Sequence, residues 1–295
     1  MTGAMSVALR AVRDRLLGAI RASGSATADL TRGAADALEG APRWLSGADI
    51  EAADQVTWFS GTTDEDEQIE QIRFRLEDVW SKPLTDAGGV QIGATFEREH
   101  SYPAAIRWIE QPTREADTKV TPIEVIYGFR TALGKPEDAP WADAVRKSGQ
   151  PPNYLIAHAD RDGFWASINR GTEAVPDWVD VKVNGREFGQ MLAADENSAR
   201  AIGRNPAGEH VLIACSSGAP EASAARLAAE HLHTTGVVTG PIHAPTDTAA
   251  TPISGSGDSV RTHLGVLARP RRKFLGVIPL PRDKLFESYP PPENP

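Results

Sequence analysis

Two short apolar runs each deliver a reactive side chain: Tyr154-Leu155-Ile156-Ala157 leads into His158, and Val211-Leu212-Ile213-Ala214 leads into Cys215, the single cysteine of the chain. A continuous aliphatic and β-branched run is the pattern of a strand buried on both faces of a parallel sheet. Such sheets place their chemistry beyond the carboxyl ends of their strands. Imidazole and thiol are thereby predicted on one rim, with room between them for the crossover helix that parallel strands require. An imidazole beside a thiol is the pairing that makes a nucleophile, because the ring takes the thiol proton. The polar turn Ser216-Ser217-Gly218 that follows is read as leading into a helix, whose N-terminus would lower the thiol pKa.

Other cysteine chemistries fit these letters less well. A phosphatase loop needs arginine six positions after the nucleophile, and Glu221 stands there with the charge that repels phosphate. Papain-type order puts cysteine before histidine, and a nucleophile elbow needs glycine where Ile213 stands. His231 and His233 lie two apart on different faces of a helix, with no second ligand pair, so no metal site is expected. Nor does any cofactor motif occur. Asp160, Glu187, Ser216 and His243 are the candidates for lining a substrate cleft.

The 295 residues carry a formal net charge of −9 and a pI near 5.3, which disfavours nucleic acid as a partner. No run approaches the roughly 20 apolar residues of a membrane span. One cysteine allows no internal disulfide. Residues 1–23 alternate apolar and basic groups and lack the apolar centre of a signal peptide, so a cytoplasmic location, or export without a cleavable secretory signal, is expected.

The apolar residues Val7, Leu9, Val12, Leu16, Leu17 and Ile20 approximate a helical stripe, continued by Leu30, Ala34 and Leu38. Residues 5–40 are thus a candidate protein-binding arm. The acidic run 64–70 before Ile72, Leu76 and Val79 is read as another helix start. From residue 88 strand and helix patterns alternate: strands over 90–96, 123–129, 153–158, 164–168, 179–183, 210–215 and 237–244, and helices over 187–194, 198–202 and 222–233. The expected architecture is α/β, a mostly parallel sheet flanked by helices. It comprises a helical N-terminal extension (1–87), the α/β domain (88–285) and a disordered Pro-rich tail (286–295). A mobile loop is expected over 249–259, with final strands over 260–268 and 274–280.

Taken together, Tyr-Leu-Ile-Ala-His158, then Val183-Asn184-Gly185-Arg186-Glu187-Phe188 opening a helix, then Val-Leu-Ile-Ala-Cys215-Ser-Ser-Gly and an Ala-rich helix resemble the caspase-like cysteine peptidases. Within that clan the nearest relatives would be the self-processing protease domains of large bacterial toxins and similar domains of actinobacterial polymorphic toxins. The resemblance covers residues 120–250. It implies a hydrolase in which Cys215 attacks a peptide carbonyl, His158 handles protons, and N–H groups of Cys215 and near Ala159 form an oxyanion hole. A protein or peptide would be the substrate. It also implies that the basic cluster Arg269, Arg271, Arg272 and Lys273 could receive a polyanionic effector. Ala159 stands where the family has glycine, so the alternative is an inactive caspase-like scaffold that docks partners through its N-terminal helices.

Overall fold

A computed structural model describes residues 57–65, 68–98, 117–126, 130–250, 253–254, 261–262, 264–268 and 284–293. The helical arm, the basic cluster and the strand expected over 274–280 lie outside the described residues.

The described chain begins with a hairpin, β1 (Trp58–Glu65) and β2 (Gln68–Arg75). This replaces the helix expected after the acidic run. Alternation wins over charge here: Phe59 and Phe74 face each other inside, stacked at 5.8 Å, while Ile69 and its alternate neighbours point out. After a 3-10 turn come β3 (Lys82–Thr85), β4 (Gln91–Thr95), β5 (Lys119–Ile126), β6 (Arg130–Leu133) and β7 (Glu137–Asp138). Helix α1 (Ala142–Ser148) ends on left-handed Gly149 and leads to β8 (Asn153–Ile156), β9 (His158–Ala159), β10 (Gly163–Asn169) and β11 (Trp178–Asn184). Helices α2 (Gly185–Ala194) and α3 (Glu196–Arg204) follow, then β12 (His210–Ile213), α4 (Ala224–Thr234) and β13 (Ile242–Pro245). The short strands β14 (Ala249–Ala250), β15 (Ile253–Ser254) and β16 (Arg261–Thr262) precede β17 (Gly265–Ala268) and β18 (Phe286–Tyr289).

The central sheet has the order β18-β13-β12-β8-β4-β3, with four parallel inner strands and antiparallel strands at both edges. A second sheet, β2-β1-β11-β10-β9, is antiparallel throughout. A third, mixed sheet, β14-β17-β5-β6 with β7 also paired to β5, sets β17 parallel to β5. The molecule is therefore α/β with mixed sheets, and the expectation of one mostly parallel sheet holds only for the centre of the six-stranded one. The loop between β10 and β11 is too short for a crossover, so they form a hairpin whose outer face stays wet: β11 alternates buried Val179, Val181 and Val183 with exposed Asp180 and Asn184.

Two expected boundaries move. Residues 57–87 contribute β1 and β2 to the second sheet and β3 to the central one, so they belong to the fold and not to a helical extension. The Pro-rich end carries β18, which pairs with β13 and inserts Phe286 edge-on at 5.0 Å from Trp141. Similarly, the expected loop over 249–259 contains β14 and β15.

Both faces of the central sheet are buried. Leu155, Ala157, Leu212 and Ala214 join a cluster with α2, α4 and the inner side of the second sheet. Tyr154, Ile156, Val211 and Ile213 join a second cluster around Trp141 and Val266. Asn184 caps α2 by accepting the Glu187 N–H at 3.0 Å, which fixes where that helix begins. A Cβ on Gly185 would come within 2.0 Å of the Ala224 carbonyl oxygen, so only glycine lets α2 lie this close to α4.

His210 opens β12 fully buried. Its Nε2 lies 3.3 Å from the Pro206 carbonyl and its Nδ1 3.4 Å from the Asn153 Nδ2. A carbonyl only accepts, so Nε2 carries the proton and Nδ1 accepts from the amide; the ring is neutral. Burial pushes its pKa down to about 4. Between that value and the ordinary 6.5 the unfolded chain binds a proton that the folded chain refuses, so stability is complete above the upper value and falls as pH drops toward the lower. About 3 kcal/mol is expected to be lost over this interval. Urea titrations across the interval measure it, and His210→Gln should flatten the wild-type slope.

Candidate active site

The ladders β4–β8 and β8–β12 align Thr95 with Ile156 and Ile156 with Ile213. Two further bonds extend them, Phe96 N–H to Ile156 O at 2.8 Å and Ala157 N–H to Ile213 O at 3.2 Å. Two residues past these register pairs stand Glu97, His158 and Cys215, each just beyond the carboxyl end of its strand; His158 has by then turned to pair with Trp165 in the second sheet. Counted on from the register pairs, the three stand in one row at the carboxyl rim of the central sheet. The Ser216 N–H then donates to the Asp247 carbonyl at 3.0 Å, so the segment after β13 joins the end of this row.

His158 is well exposed, and its Nδ1 lies 3.5 Å from Oε1 of the buried Glu97 carboxyl. The contact holds one ring nitrogen toward the carboxylate and leaves the other for chemistry. Glu97 escaped the sequence reading, although the strand expected over 90–96 ends one residue before it; strand-end logic extended to this third strand would have found it.

The Cys215 thiol is half-buried and donates to the Ala249 carbonyl at 3.6 Å. Among the described residues no hydrogen bond joins it to the His158 ring. Burial pushes the thiol pKa up, and the Glu97 and Asp247 carboxylates push it further. This reverses the expected lowering by a helix N-terminus. Helix α4 starts nine positions later, and its first amides are already taken: Ser223 and Ala224 N–H donate to Arg161 O, and Ala225 N–H to Ser217 O. Alkylation of Cys215 by iodoacetamide is accordingly expected to be slower at pH 7 than that of a free thiol and to keep rising through alkaline pH. Asp247→Asn should speed it at neutral pH, since removing a negative neighbour favours the thiolate.

The turn after Cys215 is held by main-chain bonds and one hydroxyl. Ser216 adopts φ 57, the Ser217 hydroxyl donates to Ala214 O at 2.9 Å, and Gly218 N–H donates to Pro245 O at 2.9 Å. Ser216 therefore enters the site region through its main chain. A Cβ on Gly218 would meet the Ala244 carbonyl oxygen at 2.5 Å, so this position requires glycine.

Ala159 pairs with Phe164 in the β9–β10 ladder. The neighbouring Asp160 N–H bonds Gly163 O, and antiparallel alternation then turns the Ala159 N–H away from β10. The Asp160 carboxylate builds the following turn, accepting from Asp162 and Gly163 N–H at 2.8 and 3.0 Å and pairing with Lys182 Nζ at 2.5 Å. Glu187 ties α2 to β1, accepting from the Ser60 hydroxyl at 2.6 Å, and lines a hollow of about 320 Å³ with Ser60, Asp162 and Lys182.

His243 does not line this rim, contrary to expectation. It is 4% exposed, pairs with Val211 near the amino end of β12, and lies between Glu209 Oε2 (2.6 Å) and Ser288 Oγ (2.8 Å). The strand runs on past it to Pro245, and β18 covers its edge. His233 contacts Gly240 O at 3.0 Å on its own, and among the described residues no three His, Cys, Asp or Glu side chains could hold a metal ion. No described helix is long and apolar enough to cross a membrane.

Comparison with known protein families, curated proteins and solved structures finds no match to any of them.

Proposed function

We propose that this chain is a cysteine peptidase of the caspase-like type, with Cys215 as nucleophile, His158 as proton carrier and Glu97 orienting the ring. The common position of the three, two residues past the last register pairs of β4, β8 and β12, together with the Glu97–His158 contact, carries the reading. The thiol proton passes to His158 as sulfur attacks the substrate carbonyl. The oxyanion accepts hydrogen bonds from the N–H of Cys215, which lies past the last ladder bond, and from that of Ala159. Collapse expels the amine, protonated by His158, and water then hydrolyses the thioester to free acid and thiol. Self-processing, or cleavage of a target protein within a bacterial toxin system, is the setting the motif resemblance suggests.

A second reading keeps the fold without the chemistry, as a docking scaffold. It is favoured by the raised thiol pKa and by the thiol donating to Ala249. The test is labelling of the full chain by a library of peptidyl electrophiles, read by intact mass. Sequence-selective labelling at Cys215 that requires His158 supports the peptidase. Labelling no faster than that of Cys215 in the His158→Ala chain favours the scaffold.

A further inference from the structure

The opposite, amino ends of the same three strands enclose a hollow of about 310 Å³, lined among others by Gln91, Pro152, Asn153, Ala201, Arg204 and Glu209. Gln91 opens β4, Asn153 opens β8, and Glu209 immediately precedes β12. Its size is at the lower end of small-molecule sites.

Asn153 gives the hollow its chemistry. The side chain is 7% exposed, and its Oδ1 is buried with no hydrogen-bond partner. The amide orientation is fixed: because the His210 Nε2 proton points at Pro206 O, Nδ1 needs a donor, and Nδ2 must face it. Strand β8 lies between β12 and β4, so with Nδ2 on the His210 side, Oδ1 faces the β4 side, where Gln91 lines the hollow. A buried acceptor left unmet is destabilising, and a donor bound in the hollow would relieve it. Glu209 adds acceptor character beside it: Oε2 engages His243. The exposed Arg204 supplies positive charge, anchored at the rim by Nη1 donating to the Gln91 carbonyl at 2.5 Å.

We propose that this hollow binds a small zwitterion of the α-amino-acid class, with its ammonium at Asn153 Oδ1 and Glu209 and its carboxylate at Arg204. Acceptors and a single fixed cation, framed by Pro152 and Ala201, match a ligand carrying one donor-rich and one anionic end. The site is independent of the chemistry proposed for Cys215.

The experiment screens the twenty L-α-amino acids against the full chain by thermal shift and measures the best by titration calorimetry. Saturable binding of at least one is expected, about tenfold weaker in Arg204→Gln and unchanged in Cys215→Ala. Asn153→Ala should weaken it comparably; because that residue is buried, its fold is checked first by circular dichroism, and the surface Arg204→Gln carries the test if it fails. Absence of binding by every amino acid overturns the proposal. Binding unaltered in Arg204→Gln overturns it equally, because the ligand carboxylate would then be held elsewhere.

Discussion

Cys215→Ala is expected to abolish peptide-bond hydrolysis, a loss of at least about 10³-fold, while leaving the unfolding midpoint close to that of the wild type. The side chain lies at a strand end, half-buried, and its polar contact among the described residues is to the Ala249 carbonyl. Removing it costs little packing. His158→Ala should reduce turnover by about 10²- to 10⁴-fold, the range for loss of a general acid–base. Glu97→Gln should produce a smaller fall, because glutamine keeps an oxygen near Nδ1 and with it part of the contact that orients the ring. The order Cys215, His158, Glu97 is measured by kcat/KM on a cleaved peptide, with purified variants compared at matched folding by circular dichroism. Unchanged turnover in Cys215→Ala would refute the peptidase outright.

The largest stability effect is expected from Phe188→Ala, a loss of about 3–5 kcal/mol in urea unfolding. Phe188 is 1% exposed on α2 and stacks on Phe164 of β10 at a centroid distance of 4.0 Å and 12° between planes. It also meets Phe96, at the end of β4, edge-on at 5.4 Å. One ring thus joins the central sheet, the antiparallel sheet and a helix, and its neighbours, held by two sheets, have little freedom to collapse into the space it leaves. Ile69→Ala serves as the control: 78% exposed on β2, it should change stability by no more than about 0.5 kcal/mol.

How much of this was legible depends on burial pattern. The runs before His158 and Cys215 are apolar at every position because β8 and β12 are covered on both faces, and that continuity gave their strand identity and their common rim. The helical stretches over 187–194 and 222–233 were legible for the same reason, through one apolar face each. The β1–β2 hairpin was not: the acidic run 64–70 imitates a helix start, and the Phe59–Phe74 pairing that decides the matter is a contact between strands. β18 was obscured by the prolines around it, since nothing in Phe286–Tyr289 alone announces the partner strand β13. His243 was misplaced because a histidine before Ala-Pro looks like a strand end, whereas the β13 register puts it beside Val211. Glu97 is one position beyond a strand that was recognised; its significance required knowing that β4 neighbours β8.

That neighbourhood has a kinetic meaning. Glu97, His158 and Cys215 come from strands widely separated along the chain, joined side by side in the order β4-β8-β12. Pairings of this kind must close long loops before they stabilise anything, and topologies rich in them fold slowly. An emerging or partly denatured polypeptide therefore carries a sulfhydryl with no imidazole at hand, and whatever reactivity the trio possesses begins only when sheet assembly is complete.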